Sequence, residues 1–294
     1  MGTAELFERF DTRVSASHSE RQVGIKRLFE CEAALSAHFH PNSTASHLTL
    51  IGSVVKGTSI NPMADVDGVF RMPSGTYSRI NEHAGNGQSA LLQEVRGVLS
   101  ERYPRTRIRG DGPVVVVQFS SGPSVEIVPG VLFSEGADDF HADCLVPVTR
   151  NGGSWEASDY GAEFDNALRM NAATSDQYSR LIRYMKAWRR AHHASFKSVV
   201  LELVAAEFMR RKWDHTQSSH VWDDWLVRDF LAHMIANYYS TYALPGGKEI
   251  ETGVGWVDAA RRSHIDAKVA CTFDDSGPSY VAYWRRVFGS AFGA

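Results

Sequence analysis

Strand signals stop along this chain near residue 157, and that change constrains the fold more than any other feature. Before it, short apolar runs broken by Gly and Pro turns predict strands over 47–51, 65–71, 105–108, 114–119, 124–128 and 144–148. Val114-Val115-Val116-Val117 has no alternation, which suits a strand covered on both faces. Helical spacing runs over residues 4–38, read as one long N-terminal helix ended by Pro41-Asn42-Ser43, and returns over 91–99. After the change, helices are predicted over 158–173, 175–194, 197–212, 221–239, 256–272 and 279–288, with the Gly-rich stretch 244–255 as a loop. The expected class is α+β: a mixed-sheet part over 1–155 and an all-helical part over 156–294, meeting around Asn151-Gly152-Gly153-Ser154. A length of 294 residues suits about two domains, and no internal repeat intervenes.

Composition removes several function classes. With 31 Lys+Arg against 34 Asp+Glu the net charge is −3, so no broad basic surface for long nucleic acid is expected. Three cysteines, Cys31, Cys144 and Cys271, lie far apart and make neither a disulfide framework nor a zinc spacing, which points to a reducing compartment. No apolar run reaches the roughly 20 residues of a membrane span, and Met1-Gly2-Thr3-Ala4-Glu5 carries no signal-peptide pattern. A cytoplasmic protein without a membrane partner is expected.

Three elements carry the chemistry. The strand ending at Ile51 runs into Gly52-Ser53-Val54-Val55-Lys56-Gly57-Thr58, where a turn into a helix offers free backbone N–H groups and a hydroxyl to phosphate oxygens. On the strand Asp65-Val66-Asp67, positions i and i+2 face the same way, so two carboxylates stand together while Val66 and Phe70 face the core. Paired acids repel unless a cation lies between them. In Ser124-Val125-Glu126-Ile127-Val128-Pro129, Val125 and Ile127 take the core face and Glu126 points opposite. If that strand neighbours Asp65–Asp67, three carboxylates converge beside a phosphate-binding turn. Such oxygen ligands suit a pair of Mg2+ ions, with Mn2+ as a substitute.

These pieces together resemble the DNA-polymerase-β-like nucleotidyltransferases. Within them the pattern is nearest to the oligoadenylate synthase and cyclic GMP-AMP synthase branch, whose bacterial members are the cyclic-oligonucleotide synthases (the DncV-like, SMODS-type CD-NTases) of anti-phage signalling. The resemblance continues through Leu181-Ile182-Arg183-Tyr184-Met185-Lys186-Ala187-Trp188, Phe196-Lys197-Ser198-Val199-Val200-Leu201-Glu202 and Tyr283-Trp284-Arg285-Arg286-Val287-Phe288-Gly289, and so covers nearly the whole chain. It implies a polymerase-β-like lobe with a mixed sheet and an all-helical C-terminal lobe. It also implies roles. Gly52 and Ser53 hold the donor triphosphate. Asp65, Asp67 and Glu126 are catalytic and bind two metal ions. Lys186 and Ser198 reach the donor phosphates from the helical part. The implied substrates are NTPs (ATP, GTP, or also UTP and CTP), joined with pyrophosphate release into a cyclic di- or trinucleotide messenger of CBASS-type defence. The rival readings are a linear transferase acting on an RNA, small-molecule or protein acceptor, and an NTP-binding regulator with little turnover. A conjugation or regulatory partner from the same defence system is also implied, the former through the small-residue C-terminus Gly289-Ser290-Ala291-Phe292-Gly293-Ala294, a tail that reads first as the plain end of the last helix. One residue departs from the family: the third acid is usually Asp, and here it is Glu126.

In the helix 175–194, Tyr178, Leu181, Ile182, Met185 and Trp188 share a core face. Lys186 lies at its edge and Arg189 beside it, so helical geometry leaves either as the inward-reaching cation. Arg180 and Arg190 are read as solvated, and Ser198 serves equally as a helix cap. Arg105, Arg107 and Arg109 read as an edge-strand stripe, and His192-His193 complement a helix end. Trp155 and Tyr160 are expected to pack in the core. Asp138-Asp139 and Asp223-Asp224 are read as surface pairs.

Overall fold

A computed structural model describes residues 2–132, 144–244, 247–273 and 276–293 of the chain. The expected long N-terminal helix is in fact two, α1 (Thr3–Val14) and α2 (His18–Phe39). Ser17 breaks it: its hydroxyl accepts from the Glu20 N–H, and the Glu20 carboxylate accepts from the Ser17 N–H. This reciprocal capping box starts a new helix and ends the old one.

The chain continues through β1 (Leu48–Ile51), α3 (Gly52–Val55), β2 (Asp65–Arg71), α4 (Thr76–Asn81), α5 (Gly87–Arg102), β3 (Arg107–Asp111), β4 (Val114–Gln118), β5 (Ser124–Leu132), β6 (Cys144–Val148) and β7 (Ser154–Ser158). The sheet order is β1-β2-β5-β4-β3, with β6 pairing the far end of β5 and β7 pairing β6. The β2–β5 pair is parallel and the others are antiparallel, so the sheet is mixed as expected. Val66, Phe70, Val125, Ile127, Val115 and Val117 enter one core with Leu28 and Leu35 of α2 and Leu91, Val95 and Leu99 of α5.

Three strand assignments change. β3 begins at Arg107, so Arg105 lies outside it. β5 runs on through Pro129, and β7 fills the residues between the expected junction at Asn151–Ser154 and the helix expected from 158. β3 and β7 are short and mostly exposed or half-buried, with too few apolar residues to stand out by period alone, whereas in β5 Pro129 and Gly130 read as a strand end although the strand continues buried.

The helical elements are α6 (Tyr160–Thr174), α7 (Gln177–Ala191), α8 (Ser198–Lys212), α9 (Asp223–Ala236), α10 (Val257–Ala270) and α11 (Pro278–Phe288), followed by a 3-10 turn, Gly289–Ala291. The expected loop at 244–255 is instead flanked and entered by a small hairpin of β8 (Thr241–Ala243) and β9 (Glu249–Glu251).

Packing divides the chain into two units. One comprises Met1–Ser15, Thr58–Asn61 and Asn166–Ala294, the other Ala16–Gly57 and Pro62–Asp165. The division falls inside α6, and α1 goes with the helices. The cause is aromatic: Phe7 and Phe10 of α1 pack against Tyr184, Phe288 and Phe292, with Phe7 also edge-on to Trp284 at 5.1 Å.

Two surface expectations fail in the helical unit. Arg180 is buried, not solvated, and its Nε lies 2.9 Å from the Asp223 carboxylate, which is itself wholly buried. Asp223 also accepts from the Tyr184 hydroxyl at 2.8 Å and lies 2.8 Å from His220 Nδ1. Asp224 is buried as well, accepting from the Trp225 N–H and the Tyr280 hydroxyl. Adjacent acids look solvated in sequence because their partners lie far along the chain. Asp138-Asp139 fall outside the described residues. All three cysteines are free thiols, each pushed up to about 12 chiefly by burial. Among the described residues, no helix is long and apolar enough to cross a membrane.

Candidate active site

The site begins where β1 turns into α3. Ile51 sits opposite Asp67 in the antiparallel register, so the chain leaves the sheet at Gly52 beside that carboxylate. Gly52 has φ +74°, and a Cβ placed there would strike the Asp67 carboxylate and approach the Asp67 Cβ to 3.1 Å. Only glycine satisfies both the backbone conformation and the close approach. Ser53 follows within the same short helical turn.

Asp65 and Asp67 are half-buried on one face of β2, while Val66 between them is fully buried on the other. The parallel β2–β5 register sets Asp67 opposite Glu126 and Asp65 opposite Ser124. Neighbouring strands lie about 4.8 Å apart, so the three carboxyl groups share one face at one end of the sheet. Burial raises the Glu126 carboxyl above its ordinary range, with the charges of Asp65 and Asp111 adding to it and Arg109 opposing. The β4 register explains that last influence, since Val116 pairs both Glu126 and Arg109 and places Arg109 on the acid face. Arg109 also pairs with Asp111.

The donor set suits a hard divalent cation: it is all oxygen, and its members repel one another. Among the described residues, no group of three or more His, Cys, Asp or Glu side chains is closed into a metal-holding cluster. Asp65, Asp67 and Glu126 are thus brought to one face by the backbone, without closing as a ligand set.

Lys56, four residues after Gly52, is buried and donates from Nζ to Glu163 Oε2 at 2.6 Å. Glu163 lies in the first turn of α6 and holds the end of the turn that follows β1. No motif marks Glu163; only its place in a first helical turn, where acids are favoured, gives a signal. Tyr160 starts the same helix. Its hydroxyl is pushed well above the ordinary phenol range by burial, then by the Cys144 thiol and the charges of Glu163 and Asp67. Trp155 packs at a tilt against Tyr77 and donates to Asn81 Oδ1, a packing role.

In the helical unit, Lys186 is buried and its Nζ donates to the Thr58 carbonyl at 3.1 Å and to Thr58 Oγ1 at 3.2 Å. Arg183 forks onto Asp11 at 2.8 and 2.7 Å. Ser198 is not the cap of α8. Lys197 holds that position without a side-chain cap bond, and Ser198 occupies the first helical position. Its Oγ accepts from Arg189 Nη1 at 3.0 Å. The structure therefore gathers Gly52, Ser53, Asp65, Asp67 and Glu126 in the sheet unit, and Lys186 and Ser198 in the helical unit.

The domain family described as Second Messenger Oligonucleotide or Dinucleotide Synthetase (SMODS) matches residues 1–171, more than half of the chain. The chain belongs to the SMODS family. As a SMODS protein it is a nucleotidyltransferase enzyme of the cyclic-oligonucleotide synthase group, with the polymerase-β-like fold that its motifs imply. The cyclic AMP-AMP-AMP synthase of Escherichia coli (strain MS 115-1) is 24% identical over 285 residues, covering 86% of this chain and 85% of that protein. Among solved structures, E. coli MS115-1 CdnC with ATP matches with TM-score 0.74 at 17% identity, over 100% of this chain and 99% of that one. Vibrio cholerae DncV cyclic AMP-GMP synthase, in complex with the linear intermediate 5′ pppA(3′,5′)pG, matches with TM-score 0.74 at 13% identity, over 99% and 97%. These likenesses establish the fold of this SMODS chain.

Proposed function

We propose that this SMODS enzyme joins NTPs, with release of pyrophosphate, into a cyclic di- or trinucleotide messenger in CBASS-type anti-phage signalling. The observation that carries the reading is the placement of Asp67 between Gly52 on one side and Glu126 on the other. One face then offers a phosphate-binding turn and an oxygen ligand set side by side. Gly52 lets the donor triphosphate approach the backbone closely, and the Ser53 hydroxyl donates to it. Asp65, Asp67 and Glu126 would hold two Mg2+ ions, with Mn2+ as a substitute. Bound there, the ions would lower the pKa of the acceptor hydroxyl and offset charge on the leaving pyrophosphate. Lys186 and Ser198 contribute phosphate contacts, the role that the family resemblance gives them. The acceptor hydroxyl attacks the donor α-phosphate in line, an O–P bond forming as the bond to pyrophosphate breaks. A later intramolecular attack closes the ring.

ATP is the first nucleotide to test, because the E. coli relative is a cyclic AMP-AMP-AMP synthase and CdnC is solved with ATP. GTP is next, since Bradyrhizobium diazoefficiens CdnG is solved with it. A regulatory partner fits the same reading, CdnC being solved in a complex with HORMA-deltaN. So does a cytoplasmic location.

The test is incubation of the purified chain with single NTPs and with all four, in Mg2+, followed by mass spectrometry. Pyrophosphate and a phosphatase-resistant cyclic product are expected. A phosphatase-sensitive product would favour the linear transferase. Nucleotide binding without pyrophosphate in either Mg2+ or Mn2+ would favour the regulator.

A further inference from the structure

We propose that Arg189 is the positioning residue that makes Ser198 a hydrogen-bond donor toward the nucleotide phosphates. The proposal rests on the phosphate-binding role of Ser198 given above and adds a residue that this role does not include. Arg189 lies in the last turn of α7, and its Nη1 donates to the Phe196 carbonyl at 2.7 Å and to Ser198 Oγ at 3.0 Å. One side chain thus spans the α7–α8 connection and meets the first residue of α8.

The direction of the second bond is fixed by chemistry. A hydroxyl offers one donor and two acceptor lone pairs, whereas a guanidinium offers donors only and stays charged at any pH the protein survives. With Arg189 donating into a lone pair, the Ser198 O–H cannot point back at Arg189. It must donate elsewhere. Ser198 is half-buried, so a dissolved ligand can reach it. A phosphate oxygen is acceptor-only, and a hydroxyl already polarised by a cation is a stronger donor to it.

The surroundings agree. Arg189 also lines an open cavity of about 430 Å3 with Ser195, Phe196, Lys197, Glu251 and Thr252. Lys197, the residue before Ser198, adds positive charge to its wall, and Glu251 is the acid that limits it. Helix α8 has 15 residues and no side-chain cap, so its first-turn N–H groups favour an anion too.

The test is a double-mutant cycle on the full-length protein, read as the ATP dissociation constant by calorimetry with Mg2+ and as KM and kcat for pyrophosphate release. Losing a charge-assisted hydrogen bond costs on the order of tenfold in affinity. Ser198→Ala should therefore weaken ATP about tenfold, with kcat little changed. Arg189→Met should match it, and the double variant should be no worse than either single one. Ser198→Thr, which keeps the hydroxyl, should bind nearly as wild type, and Arg189→Lys should recover part of the loss. Penalties that multiply in the double variant would overturn the proposal, as would an Arg189→Met defect confined to kcat or to melting temperature. If Arg189→Met does not fold, the same cycle with Arg189→Lys decides. The binding arm needs no turnover. A wild type that binds ATP without releasing pyrophosphate would overturn the synthase reading while the cycle still judges Arg189. Unchanged ATP affinity in Ser198→Ala overturns both the role of Ser198 and that of Arg189.

Discussion

The carboxylate of Asp67 occupies the space into which a side chain on Gly52 would project. The turn between β1 and α3 and the Asp67 carboxylate are therefore built against each other, each setting the other's position. Gly52→Ala meets two penalties. At φ +74° a non-glycine residue costs roughly 1–2 kcal/mol, and its methyl group must displace the carboxylate. A displacement near 1 Å at a reacting centre costs on the order of 100-fold in rate. Gly52→Ala should fold, melt a few degrees lower and lose about two orders of magnitude in pyrophosphate release. A variant with wild-type turnover would show that this contact has no part in the chemistry.

Asp67→Asn keeps the shape of the side chain and removes its charge. It should leave the melting temperature near that of wild type and abolish Mg2+-dependent pyrophosphate release. Retained turnover would refute the site assignment.

Glu126→Gln separates stability from activity. Burial and the charges of Asp65 and Asp111 hold the Glu126 carboxyl above its ordinary range, so the ionised form works against the fold near neutral pH. Neutralising it should raise the metal-free melting temperature while turnover falls by at least about 100-fold, a stability–activity trade-off. A lower melting temperature with activity intact would contradict both halves.

What could be read from the residues was whatever sits within a few positions of itself. Asp65-Val66-Asp67 and Val125-Glu126-Ile127 show their two faces by period alone, and the structure puts Val66, Val125 and Ile127 in one core. The strand at Asp65–Arg71 and the helix carrying Lys186 follow the same logic. What was hidden depends on partners far along the chain. Glu163 meets Lys56 across 107 positions, and Asp223 meets Arg180 across 43. Nothing local distinguishes such acids from solvated ones. The edge strand β7 and the hairpin β8–β9 were hidden for another reason: short, half-exposed strands have weak apolar periodicity. Phe7 and Phe10 lie within the helical spacing read over 4–38, but the sequence carries no mark that they pack with α7 and α11.

The Arg180–Asp223 pair anchors α7 to α9 inside the helical unit, with side chains 5% and 0% exposed. Breaking one side of such a pair leaves an uncompensated buried charge and costs about 3–5 kcal/mol. Arg180→Met and Asp223→Leu should each destabilise by about that amount, measured by chemical denaturation. The double variant should lose less than the sum of the two, because it buries no lone charge. Tyr184 and His220, which also bond Asp223, keep it from matching wild type. Additive losses would mean that the two residues do not act as a pair.

The pH dependence of stability has a predictable sign in the range where histidines titrate. His233 on α9 and His264 on α10 are both lowered, in each case first by burial. Around His233, Glu207 opposes the shift and Lys212 adds to it. Around His264, Lys268 and Arg228 add to it and Asp229 opposes. In the unfolded chain these imidazoles take up protons near pH 6.5, while in the folded protein they do so only at lower pH. Above that value both states hold them neutral, and their contribution to stability is complete. As pH falls below it, the unfolded state binds protons that the folded state refuses, and stability declines. Wild-type protein should therefore lose melting temperature between about pH 7 and 5.5, a loss that the raised carboxyls of Glu126 and Asp224 oppose. His233→Gln/His264→Gln should flatten that slope while leaving the rest of the curve in place. An equal slope in wild type and double variant would place the pH sensitivity on other groups.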